Sequence, residues 1–160
     1  MLGLGILHLR GLTLAGRLKD KQTTNRHIAE AWRMAEDFVE DVDEHGIHFG
    51  RENTATHVIS ACSDMEQHRE ALNTADDLIR GGVSLPATRM GPLYMNLGRS
   101  QLAIGDRGSA LESLEEAWER APEMAAVHPT SMELVRVLAS LHKRSNPRLT
   151  KIVKRAGMTL

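Results

Sequence analysis

The sequence predicts an all-α protein, a solenoid of antiparallel helical hairpins. Three observations carry that expectation. Phe, Trp and Tyr make up only 3% of the residues while Ala, Leu, Glu and Arg dominate, so strand-favouring side chains are scarce and helix-favouring ones abundant. Apolar residues recur at three- and four-residue steps in segment after segment, which is the period of one helix face. Capping residues, Gly or Pro stand in the gaps, where helices start and stop. No sheet is expected.

Leu4, Leu7, Leu12, Leu14 and Leu18 define a first helix over 3–18, and the apolar opening of the chain is expected to be buried within it. Thr23, Thr24 and Asn25 are N-cap types for a second helix, whose apolar stripe runs Ile28, Ala31, Trp32, Ala35, Phe38, Val39. Gly46 and Gly50 mark a loop. A third helix follows through Ala55, Val58, Ile59, Cys62 and Met65, and Ser63-Asp64-Met65-Glu66 has the S-x-x-E form that opens a fourth. Ala71, Leu72, Ala75, Leu78 and Ile79 line that helix until Gly81-Gly82.

Leu93, Leu97, Leu102 and Ile104 set a fifth helix, with Pro92 at its first position or at a kink. Gly105-Asp106 ends it and caps a sixth, through Ala110, Leu111, Leu114, Ala117 and Trp118 to Ala121-Pro122. Thr130-Ser131-Met132-Glu133 reads as a capping box for a seventh helix through Leu134, Val137, Leu138 and Leu141. Asn146-Pro147 opens an eighth through Leu149, Ile152, Val153 and Ala156.

The chain of 160 residues, 41% hydrophobic and 26% charged, suits one domain with a packed core. The net charge of -1 removes the basic field of a nucleic-acid binder, so no direct DNA binding is expected. One Cys, Cys62, cannot form an internal disulfide, which favours a reducing, cytoplasmic setting. Arg10 interrupts the apolar opening well before the ~18 residues of a membrane span, and no basic leader precedes it.

Residues 91–124 form a helix-turn-helix unit in which Tyr94, Leu97, Gly98, Ala110, Leu114, Ala117 and Pro122 fall at consensus positions of a tetratricopeptide repeat. Small residues at 98 and 110 let two antiparallel helices approach closely. The Ala-x3-Leu-x2-Ala spacing at Ala110 recurs in kind at Ala71 and Ala31, 39 and 40 residues apart, longer than the ~34 of the strict repeat. The expected organisation is a single TPR-like domain over 1–160, with approximate repeats 3–45, 51–82 and 86–124 and C-terminal capping helices over 129–157.

Phe49-Gly50-Arg51-Glu52-Asn53, Leu85-Pro86, Gly105-Asp106, Ala121-Pro122 and Val127-His128-Pro129 follow in an order that resembles the C-terminal helical-repeat region of actinobacterial XRE-type transcriptional regulators. In that family an N-terminal helix-turn-helix reads DNA and the repeat region senses or assembles. The resemblance implies a sensor or oligomerisation half. With the first helix starting at residue 3, the family's DNA reading is not expected to transfer to this chain.

Signs of chemistry are sparse. His45 and His48 in H-x-x-H spacing beside Asp41, Asp43 and Glu44 could hold a divalent metal, but a solvated acidic turn explains them better. Cys62 on an apolar helix face reads as core rather than as a nucleophile partnered by His57. No P-loop, nucleophile elbow, zincin or dinucleotide motif is present. Neither an enzyme nor a cofactor is expected. Six acidic residues between Glu36 and Glu44 and six basic ones between Lys143 and Arg155 give the chain a polarity; solvated faces, the basic one on a capping helix, account for both.

What remains is recognition. In a helical solenoid the first helices of successive repeats line a concave groove, and the consensus register puts Thr56, His57, Ser60, Met95, Asn96 and Arg99 there. A protein or peptide partner is expected in that groove. Arg99 is its natural anchor for a carboxylate or phosphate, since Met95, Gln101 and Ala103 offer it no acid by spacing. The N-terminal helix presents Leu2, Leu4, Ile6 and Leu7 on more than one side, so self-association through it is the simplest expectation. Two roles fit: the regulatory part of a transcriptional regulator, or a free-standing adaptor.

Overall fold

A computed structural model describes residues 2–44, 46–141 and 146–158. Among them the order is α1 (Leu2–Arg17), α2 (Lys21–Ala35), β1 (Val42–Glu44), β2 (Ile47–Phe49), α3 (Arg51–Asp64), α4 (His68–Arg80), α5 (Ala87–Ala103), α6 (Arg107–Arg120), α7 (Pro122–Val127), α8 (Pro129–Leu141) and α9 (Pro147–Arg155). The protein is mostly helical. Its contacts group into two compact units, Met1–Leu85 and Pro86–Leu160.

In the first unit α1 packs on α2 and α3, and α3 on α4. Leu9, Leu12, Ala31, Met34, Ala35, Phe49 and Ala61 form its core. The expectation of no sheet is corrected by a small antiparallel hairpin pairing Val42 with Phe49, Asp43 with His48 and Glu44 with Ile47. Gly46 supplies the positive φ of +77° that its turn requires. The strands are anchored by Phe49, whose ring lies against Gly5 so closely that a Cβ there would stand 2.3 Å from Phe49 Cζ.

Helix ends depart from expectation where a side chain outside the apparent motif competes better. Asp20, rather than Thr23, Thr24 or Asn25, caps α2 by accepting the Thr23 N–H at 3.1 Å. Hydrogen bonding to Thr23, by its side chain first and then by its backbone N–H, holds the carboxyl below the usual range. Ser63 lies inside α3, and α4 starts after Gln67 with no side-chain cap. α2 ends at Ala35, leaving Val39, expected on its apolar stripe, 99% exposed. The buried face of α1 is Gly5, Leu9, Leu12, Ala15 and Gly16, while Leu4, Leu7, Leu14 and Leu18 are exposed. The expectation of a wholly buried opening helix therefore fails on that side.

In the second unit α5 packs on α6 and α8, and α9 on α6 and α8. Asp106 caps α6 through the Ser109 N–H at 3.0 Å, and Asn146 caps α9 through Arg148 and Leu149, as the sequence indicates. Pro92 lies within α5 rather than at its start. α7 is a short additional helix, and the α8 cap comes from His128 Nδ1, which accepts the Thr130 N–H at 3.2 Å. Close packing at Gly98 is as expected: a Cβ there would meet Leu134 Cδ1 at 3.2 Å and the Ala110 carbonyl at 3.3 Å.

Candidate functional site

The six predicted groove residues fall into two sets, three on α3 in the first unit and three on α5 in the second. Thr56 and Met95 are corrected to interior positions. Thr56 is buried with its hydroxyl donating to the Asn53 carbonyl at 2.8 Å. Met95 is 1% exposed and belongs to the core around Leu111, Leu114 and Leu138. The reason for Met95 is α8, which packs on the helix that was expected to present an open face. His57 Nδ1 lies 3.1 Å from Thr13 Oγ1, tying α3 to α1. Ser60 and Asn96 are half-buried.

Arg99 is half-buried and lines a groove of about 760 Å³ between α5 and α8. Leu102, Met132, Leu134 and Val137 supply apolar walls. Glu133 and Arg136 complete the charged edge, 3.6 Å apart and both exposed. The expectation that Arg99 has no local partner is corrected, since it already makes an interaction with its surroundings. Arg99, Glu133 and Arg136 thus set charged side chains of both signs at the edge of an apolar bed. That combination suits a molecule with an apolar body and one anionic end.

A second concavity, about 830 Å³, lies within the first unit and was not foreseen. Trp32, Ala55 and Leu78 form its apolar part, with Asp41 and Glu52 at the edge. Both carboxylates are structural. Asp41 accepts the N–H groups of Glu52 at 2.9 Å and Asn53 at 2.7 Å, satisfying the first turn of α3. Glu52 accepts the Ser84 N–H at 2.9 Å and so fixes the segment after α4.

The expected acidic turn is the hairpin. His48 stands between Asp41 (3.4 Å) and Asp43 (3.7 Å), and Asn53 Nδ2 donates to its carbonyl at 2.7 Å. His45 lies outside the described residues. Among the described residues no group of three or more His, Cys, Asp or Glu is placed to hold a metal ion. Cys62 is buried, and that burial, followed by the Glu70 carboxylate, pushes its thiol up to about 11. A thiol held protonated at neutral pH is a poor nucleophile. Cys62 should therefore resist a thiol-specific disulfide reagent in the native protein and react fully in denaturant; stoichiometric native labelling would contradict its interior placement.

Of the C-terminal basic run, Lys143 and Arg144 lie outside the described residues. The guanidinium of Arg148 bonds Glu115, with Nε at 2.9 Å, and Arg155 donates to the Trp118 carbonyl at 3.1 Å while lying 5.2 Å over its ring. These contacts hold α9 on α6. No described helix is long and apolar enough to cross a membrane.

A histidine pair links α1 and α2. His8 Nδ1 and His27 Nδ1 are 2.9 Å apart, and the His27 ring presses on Gly11, where a Cβ would meet Nε2 at 2.6 Å. Burial, then the charges of His8 and Arg26, hold His27 below its ordinary range; burial does the same to His128. The folded state thus favours the neutral rings, and stability present above the unfolded value of about 6.5 is lost as pH falls through and below it. Thermal melts should show a falling midpoint from about pH 6.5 downward, and His27→Gln should flatten the decline. A midpoint that rises on acidification over that window would contradict the assignment.

Comparison with known proteins yields no match to a family model, to a curated protein or to a solved structure.

Proposed function

We propose that this protein is a non-enzymatic, TPR-like binding module, the regulatory part of a transcriptional regulator, and that its ligand site is the α5–α8 groove around Arg99. The ligand would be a peptide or protein segment that lays apolar side chains along Leu102, Met132 and Val137 and brings a carboxylate or phosphate to Arg99. One observation carries this reading: the arginine that the repeat register singled out lines a groove whose walls are the apolar Leu102, Met132, Leu134 and Val137. The paired helices and the tight approach at Gly98 support the repeat character. A free-standing adaptor is the second reading, favoured by the exposed leucine face of α1.

A short leucine-rich peptide with a free C-terminal carboxylate serves as the probe. Arg99→Ala should weaken its binding by about 1.5–3 kcal/mol, the loss expected for a charge-assisted hydrogen bond. Arg99→Lys should recover part of the loss, because it restores the charge without the fork. Equal affinity of the native protein and a folded Arg99→Ala variant would remove Arg99 from the site.

A further inference from the structure

α1 carries two apolar faces, only one of which its own unit covers. Leu9, Leu12 and Ala15 face the core, while Leu4, Leu7, Leu14 and Leu18 are 51%, 66%, 61% and 81% exposed. The Leu18 N–H still bonds the Leu14 carbonyl at 3.1 Å, so the row extends past the last residue of the helix. Positions 4, 7, 14 and 18, with Gly11 in the gap, follow alternating steps of three and four, which keeps them in one narrow stripe. Soluble proteins seldom leave such a row open.

We propose that this stripe docks an amphipathic helix of a partner protein, one with a leucine-type seam and acidic flanks. The three-and-four spacing is the pattern of a helix–helix seam. A lipid-binding helix instead presents a broad apolar face with a strongly basic polar one, whereas the far side of α1 is buried in its own unit. Charge selects the partner. Between Leu2 and Lys19 the sequence has no acid, and the exposed Arg10 and Arg17 lie seven residues apart along one flank. His8 lies toward the other, and the His27 ring covers Gly11 in the gap of the row, so the open leucines flank that ring. The nearby acids are committed: Asp20 caps α2, Glu30 holds Arg33, and Glu66 binds Lys19. A second copy packed antiparallel on this stripe would set Arg10 and Arg17 against their own equivalents, where acidic flanks would pair with them.

The test uses the full chain and two synthetic three-heptad peptides with leucine at the seam, one flanked by glutamates and one by lysines, whose like charges keep each from pairing with itself. The glutamate peptide should bind at least ~10-fold more tightly than the lysine peptide, and added salt should weaken it. Leu7→Glu/Leu14→Glu should abolish binding without moving the thermal midpoint, since both side chains are exposed. Arg10→Glu/Arg17→Glu should reverse the preference between the peptides. The proposal is overturned by equal binding of the two peptides or by none. It is also overturned if the leucine substitutions instead dissolve a dimer seen by sedimentation, which assigns the face to a second copy, or abolish binding to phosphatidylserine vesicles, which assigns it to a lipid surface.

Discussion

Phe49→Ala is expected to cost the first unit about 3–5 kcal/mol, the range for removing a fully buried phenylalanine. The ring is 0% exposed and rests directly on the α1 backbone at Gly5. It also meets Phe38 edge-on, with centroids 5.4 Å apart and planes at 80°. The hairpin has only three residues per strand, too little to hold itself together in water, so it depends on this apolar anchor together with the Asp41 and Asn53 hydrogen bonds to α3. Asp41 and His48 belong to the same segment and would loosen with it. Urea denaturation should show the loss, and a change below about 1 kcal/mol would show that the hairpin contributes little to the unit.

Leu114→Ala should be comparably severe for the second unit, about 2.7–5 kcal/mol. Leu114 is 0% exposed on the face of α6 that meets α5, between Ala110 and Ala117, which are also fully buried. The two alanines cannot fill the cavity, which leaves only the larger side chains of the same core, Met95, Leu111 and Leu138, to relax into it. Chemical denaturation measures the cost. A loss of only about 1 kcal/mol would mean that the α5–α6 contact relaxes around the cavity.

The helices were legible because their signals are redundant. α6 has an Asp cap, a buried Ala-Leu-Ala face and a Pro just past its end, all pointing the same way. The hairpin was not, because three residues on each side of a Gly turn are too few for a two-residue period to emerge from a charged stretch. Its one apolar anchor, Phe49, read as part of a loop. The sense of burial on α1 was also illegible: with leucines on every side, periodicity marks a helix without saying which face the fold takes. At the candidate site, Arg99 could be picked out by register, but the opposite wall could not. Met132, Glu133 and Val137 lie on a helix that reads as a terminal cap, and only its packing on α5 turns that cap into one side of a groove and Met95 into core.

The proposed ligand of the second unit is an apolar segment with an anionic end, seated in the α5–α8 groove. Amide NMR of the labelled protein, titrated with the leucine-rich peptide in its free-carboxylate and C-terminal amide forms, tests it most directly. Shifts should concentrate at Arg99, Leu102, Met132 and Val137, with the amide form at least ~10-fold weaker for want of a charge-assisted bond. Indistinguishable titrations of the two forms, or shifts that leave α5 and α8 untouched, would contradict it.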